Sequence, residues 1–162
     1  NVIAYNDFEN NSFSMFKAGE IVDIESEYAL SFKAGHDFVY YQDQSETEKV
    51  YFNGESKELG YDLQELTVYD SIITFKEANY LKIWYKDEIH TIYNTAVNKP
   101  QVDGGIVAYR NNNNGVSAFV RGKEIEITKQ RVSDFWLNGN TIVLQLSASS
   151  YAIWWNGKLY YF

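Results

Sequence analysis

Five stretches of this chain stack on one another at a period of about 35 residues. They are Val2-Ile3-Ala4-Tyr5-Asn6-Asp7, Phe38-Val39-Tyr40-Tyr41-Gln42-Asp43, Ile72-Ile73-Thr74-Phe75-Lys76-Glu77, Ile106-Val107-Ala108-Tyr109-Arg110-Asn111 and Ile142-Val143-Leu144-Gln145-Leu146-Ser147, with successive starts 36, 34, 34 and 36 residues apart. A fixed period decides the architecture before local propensity does, because a short unit with an apolar face must stack on its neighbours to bury it.

The rest of each unit keeps the same step. A second apolar run carries an aromatic at Phe16, Tyr51, Trp84, Phe119 and Trp154. Three residues later stands a residue tolerant of positive φ: Gly19, Gly54, Asp87, Gly122 and Gly157. Asn53-Gly54 and Asn156-Gly157 read as type I′ hairpin turns, and Lys17-Ala18-Gly19-Glu20 and Arg121-Gly122-Lys123-Glu124 as looser ones. A third strand follows, as in Ile21–Ile24, Ile89–Tyr93, Ile125–Ile127 and Leu159–Tyr161, the alternation of Ile125-Glu126-Ile127 marking a wet face. A fourth, weaker strand is expected over Tyr28–Lys33, Leu66–Tyr69, Asn98–Val102 and Val132–Leu137, ending in turns at Gly35, Asp70, Gly104 and Gly139.

Apolarity falling from the first strand to the fourth is the gradient that radial blades would show, and stacking four-stranded sheets into a ring removes exposed edges. The expected fold is therefore all-β: a propeller of about five blades of antiparallel strands, one domain over residues 1–162, with repeat units near 1–36, 37–70, 71–104, 105–139 and 140–162. A trefoil needs three units of about 40–50 residues, and solenoid coils are usually shorter. The chain offers five copies of the first three strands but four of the fourth. The missing strand would have to come from residues upstream of Asn1, so either an N-terminal segment has been lost, leaving the propeller incomplete at its N-terminus, or the ring is part of something larger.

Segments such as Asp103-Gly104-Gly105-Ile106-Val107-Ala108-Tyr109 resemble the short blades of TolB-like and WD40-like propellers, a likeness covering essentially the whole chain. The paired Gly-His and Trp-Asp marks of WD40 repeats do not recur, although Gly35-His36 occurs once, so no functional residue transfers. The Tyr- and Asn-rich, Pro-poor style resembles exported propellers of gliding-type bacteria, which serve as accessory subunits of secretion machinery.

Composition narrows the function. Fourteen Tyr, ten Phe and four Trp suit pleated surfaces. The formal charge of −8 would repel a phosphate backbone, so no nucleic-acid partner is expected. The absence of Cys removes disulfides, thiolate metal sites and a Cys nucleophile while fitting cytoplasm and periplasm equally. No run of about 18 apolar residues is present, so an integral membrane protein is not expected. The start at Asn1 lacks an initiator Met, and a processed, exported product in the periplasm or outside the cell is the expectation.

No catalytic group, cofactor or metal is expected. His36 and His90 lack a zinc spacing and read as turn and strand surface residues. Ser147 to Ser150 lacks the flanking glycines of a nucleophile elbow. Asp7, Asp43 and Glu77, with Asn111 and Ser147, share one column closing the first strand. That column could be an acid ring, but Asp, Asn and Ser also start turns through their own backbone, the preferred reading. Glu20, Asp23, Glu25 and Glu27, and Asp43, Glu46 and Glu48, read as solvated faces, and Asn111 to Gly115 as a flexible polar loop. In Phe135-Trp136 and Trp154-Trp155, neighbouring residues face opposite ways, and packing between units is expected to cover both members.

What remains is one end of the blades, where two turn series gather. His36, Asp70, Asp103, Arg121 and Asn138, with Trp136 and Trp155, are the expected binding residues. They imply a scaffold for a protein partner, in a cell-envelope or secretion complex. A lectin-like carbohydrate-binding propeller is the alternative, and an enzyme with its site in a central channel the least favoured reading.

Overall fold

A computed structural model describes residues 1–93 and 99–162, which form nineteen strands and no helix. The first sheet holds β1 (Val2–Asp7), β2 (Ser12–Lys17) and β3 (Glu20–Glu25). The second holds β4 (Ser31–Ala34), β5 (Phe38–Gln42), β6 (Thr47–Phe52) and β7 (Glu55–Tyr61). The third holds β8 (Gln64–Tyr69), β9 (Ile72–Glu77), β10 (Tyr80–Tyr85) and β11 (Glu88–Ile92). β12 (Gln101–Asp103), β13 (Ile106–Arg110), β14 (Val116–Val120) and β15 (Lys123–Thr128) make the fourth. The fifth comprises β16 (Asp134–Asn138), β17 (Thr141–Ser147), β18 (Ser150–Trp155) and β19 (Lys158–Tyr161). Each sheet is a meander in chain order, three-stranded in the first and four-stranded in the others. The described residues fall into two compact units, 1–77 with 82–89 and 78–81 with 90–162.

The fourth strand of each repeat pairs forward, not at the far end of its own unit: β4 on β5, β8 on β9, β12 on β13 and β16 on β17. The tight turns at Gly35, Asp70, Gly104 and Gly139 close hairpins, and a hairpin makes its two strands neighbours. The polarity gradient is therefore symmetric: two central strands, buried along β5 and β13, lie between polar edges such as β4 and β15. Of the expected strand Asn98–Val102, Asn98 lies outside the described residues.

The aromatic column is structural. Phe16 faces Ile3, Tyr51 faces Val39, Phe119 faces Val107 and Trp154 faces Ile142 across their strand pairs. That register corrects the fifth stretch, since Ile142 corresponds to Val107 and not to Ile106. The strand starts at Thr141, and a slip of one residue exchanges the two faces of a sheet.

All five turns after the aromatic column carry positive φ at both loop residues: Ala18 54° and Gly19 92°, Asn53 52° and Gly54 90°, Lys86 47° and Asp87 71°, Arg121 50° and Gly122 83°, Asn156 48° and Gly157 80°. The Ala18 and Arg121 turns are thus as tight as the Asn-Gly pairs, because two loop residues with positive φ match the twist of the strands they join.

Sheets stack through alternate residues. Val2, Ala4, Phe13 and Met15 of the first sheet meet Val39, Tyr41 and Tyr51 of the second. Phe38 and Phe52 hold Trp84 at ring-centre distances of 4.8 and 5.5 Å. Ile106, Ala108, Val116 and Ala118 of the fourth sheet meet Phe135, Ile142, Leu144 and Trp154 of the fifth. Burying an aliphatic or aromatic side chain of this size stabilises by about 1.5–3 kcal/mol, so these interfaces hold the sheets together.

Candidate functional site

In a meander of four strands, the first and third turns emerge at one end of the sheet. Where two sheets of one compact unit adjoin, these turns are joined there. The His36 backbone N–H donates to the Asp70 carbonyl at 2.6 Å. Asp103 accepts from its neighbour Gly104 at 2.8 Å and from the Gly139 N–H at 2.6 Å. The Gln101 side chain acts as a short strand between sheets, donating to the Phe135 carbonyl at 2.9 Å and accepting from the Leu137 N–H at 2.7 Å. Backbones come so near that a Cβ on Gly104, whose φ is +52°, would lie 2.6 Å from the Gly139 carbonyl. Within each unit the joined turns are braced, the condition for holding a partner without ordering cost.

Between the turns of the fourth and fifth sheets lies a cleft of about 760 Å³. Its floor is apolar, from Ile106, Val120, Ile125 and Trp154, and its rim holds Arg121, Lys123, Asn140, Trp155 and Asn156. The lining contains two cations and no carboxylate, in a chain whose net charge is −8. An apolar floor with a few polar groups at the mouth suits an aromatic or aliphatic anchor carrying an anionic group.

Of the expected binding residues, the cleft gathers Arg121 and Trp155. Asp103 and Asn138 flank the adjoining turns, Asn138 exposed opposite Thr141 and Asp103 tied to Gly139. His36 and Asp70 lie in the other compact unit, both exposed. Trp136 shares a face of the fifth sheet with Trp155, outside the cleft lining. The aromatic pairs divide, contrary to expectation: Phe135 and Trp154 are buried, while Trp136 is 44% and Trp155 53% exposed. A sheet with one covered face buries only alternate residues. Sequence reasoning missed Gln101 and Asn140, since a single amide without a repeated column carries no signal.

The acidic column starts turns. Asp7 accepts from the backbones of Glu9 and Asn10, Asp43 from those of Ser45 and Thr47, and Asn111 from those of Asn113 and Gly115. Asn111 also donates to the Thr128 carbonyl at 3.0 Å, so the expected flexible loop is fastened. Two acids read as solvated have inward partners: Glu48 is buried and accepts from the Tyr40 hydroxyl, and Glu25 accepts from Tyr41 at 2.7 Å and Lys49 at 3.1 Å. Strand alternation turned them toward the protein, where tyrosine hydroxyls satisfy them. Burial, then the facing carboxylate, pushes the Tyr40 and Tyr109 hydroxyls well above the usual tyrosine range, so both stay neutral donors. The His90 and Phe119 rings meet at a tilt of 54°, centres 4.8 Å apart.

A second cleft, of about 660 Å³, is lined by Arg110, Asn114, Gln130, Arg131 and Ser133 among others. The Arg110 guanidinium is engaged there, donating to the carbonyls of Val132 and Ser133 at 2.9 and 2.8 Å. Among the described residues no group of three or more His, Cys, Asp or Glu is placed to hold a metal.

A family model described as a 10-bladed beta propeller domain matches residues 1–160. Among solved structures, Kluyveromyces lactis Hsv2 is similar at 15% identity over 94% of this chain and 57% of that one, with a TM-score of 0.47. The computationally designed Ika8 protein is similar at 15% identity over 98% and 56%, TM-score 0.41. Human WBSCR16 is similar at 10% identity over 85% and 50%, TM-score 0.42. The chain thus spans about half the length of these structures. No curated protein matches.

Proposed function

This chain belongs to the 10-bladed beta propeller domain family, and from that footing we propose that it is a non-catalytic protein-interaction scaffold whose binding site is the cleft between the fourth and fifth sheets. The observation that carries this reading is the lining itself: Arg121 and Lys123, with no carboxylate, around an apolar floor and the indole of Trp155. Tryptophan and arginine are the side chains that most often dominate binding energy at protein interfaces. The partner supplies a segment with an apolar anchor beside an acidic group.

The location we propose is the periplasm or cell exterior, with the protein as an accessory subunit of an envelope or secretion complex. The compositional style of the repeats supports that placement. In the test, protein carrying Arg121→Glu and Lys123→Glu is compared with wild type in capture from envelope extracts. The proposed site requires a wild-type partner lost in the double variant, and a partner retained at equal yield excludes this cleft.

A lectin-like role is the second reading, favoured by the exposed indoles of Trp136 and Trp155, which can stack on sugar rings. A glycan array decides it: binding abolished by Trp155→Ala supports the lectin, and an empty array removes it.

A further inference from the structure

Charge is divided unevenly between the two compact units. Residues 78–81 and 90–162 hold seven Lys or Arg against four Asp or Glu, whereas residues 1–77 with 82–89 hold seven against eighteen. A chain of net charge −8 thus contains a unit of net positive charge, which bears on what that unit attracts.

Within the positive unit lies the cleft of about 660 Å³, at the end of the fourth and fifth sheets opposite the interaction cleft. Asn114 stands in the β13–β14 turn, and Gln130 to Ser133 form the crossover from β15 to β16. The second turn of a meander emerges opposite the first and third. Arg110 and Arg131 bring charge to the lining, Asn114, Gln130 and Ser133 bring amides and a hydroxyl, and the lining contains neither a carboxylate nor an aromatic ring.

The crossover wall is fixed from both sides. The Val132 N–H donates to the Asn114 carbonyl at 3.0 Å, tying the crossover to the fourth sheet, and the Ser133 N–H donates to the Gln145 carbonyl at 2.7 Å, tying it to the fifth. Arg110 reinforces the tie through the carbonyls of Val132 and Ser133 and lies over the Phe135 ring, 5.7 Å from its centre. The Asp134 carboxylate, 3.9 Å from Arg110, stands outside the lining, where one oxygen accepts the Phe135 N–H at 2.8 Å. Arg131 is exposed and has no hydrogen bond or ion pair among the described residues. Its planar fork of donors is therefore open to a ligand, and such a fork pairs parallel N–H groups with a carboxylate or phosphate.

We propose that this cleft binds an acidic sugar, its carboxylate or phosphate on Arg131 in the field of Arg110, and its hydroxyls on Asn114, Gln130 and Ser133. The shared chemistry is an oxyanion flanked by hydroxyls, matched by a guanidinium flanked by neutral donors and acceptors. The volume is that of a small-molecule site. The braced walls need no ordering on binding. The proposal is independent of both readings above, since this cleft shares no lining residue with the interaction cleft and includes neither Trp136 nor Trp155.

Nitrogen-15 chemical-shift titration of the full 18.8 kDa chain with glucuronate, glucose 6-phosphate and glucose tests it. At least one acidic probe should bind tenfold or more tightly than glucose, with shifts centred on the amides of Asn114 and of Gln130 to Ser133, and the better acidic probe decides between carboxylate and phosphate. Arg131→Gln should weaken that binding at least tenfold with unchanged circular dichroism. Lys158→Gln, which removes the same charge outside the lining, should change it less than twofold. No shifts with either acidic probe at about 10 mM, glucose binding as tightly as the acids, shifts centred elsewhere, or equal effects of the two substitutions would each overturn the proposal.

Discussion

Asp43 shows how one side chain does two structural tasks. Its carboxylate receives the Ser45 and Thr47 N–H groups, shaping the turn, and pairs with the Lys49 ammonium at 2.8 Å. Burial pushes this carboxyl up, but the Lys49 ammonium and the two N–H donors outweigh it and hold the group below its ordinary value. A carboxyl depressed in the folded state adds stability above its unfolded pKa, and that share is lost as pH falls through the folded value. Asp43→Asn keeps an acceptor for the turn and removes the charge. The variant should therefore melt below wild type at pH 7, and the gap should narrow as pH falls through the folded value of the wild-type carboxyl. Thermal melts over a falling pH series check this, and an unchanged gap would assign the whole effect to the turn.

At the level of strands and turns, what the sequence made legible is what backbone sterics force. Positive φ at Gly19, Gly54, Asp87, Gly122 and Gly157 was readable because few residues tolerate it, and all five positions adopt it. The phase of β17 was not readable: Ile142-Val143-Leu144 is apolar throughout, so only pairing with Trp154 reveals which residues share a face. Forward pairing of the fourth strand could have been inferred from the turns and was obscured by the polarity of both edges. Among these turns Ala18 stands out, an exposed alanine held at φ 54° where Asn53 and Asn156 occupy the same place. Asparagine tolerates that region better than alanine. Ala18→Asn should stabilise by about 0.5–1 kcal/mol, a rise in Tm of about 1–4 °C, and Asn53→Ala should lower it by a similar amount. Calorimetry on the pair checks the sign at both sites.

Across the molecule, the number of sheets was legible, whereas the exposure of a given row was not: Ile3 and Phe16 are exposed, yet they follow the same pattern as Val107 and Phe119, which are buried. Exposure depends on what lies next to a sheet, and no residue within it encodes that. The cleft was half legible, Arg121 and Trp155 standing at turn positions while Asn140 and Gln101 had no recurring column.

Three of the four tryptophans lie in the fifth sheet, one in β16 and two in β18, and none lies in the first. Ultraviolet-excited emission therefore watches the C-terminal end of the chain and is nearly blind to the N-terminal one. Melting curves from fluorescence and from calorimetry need not coincide, and the interval between them would report which end loosens first.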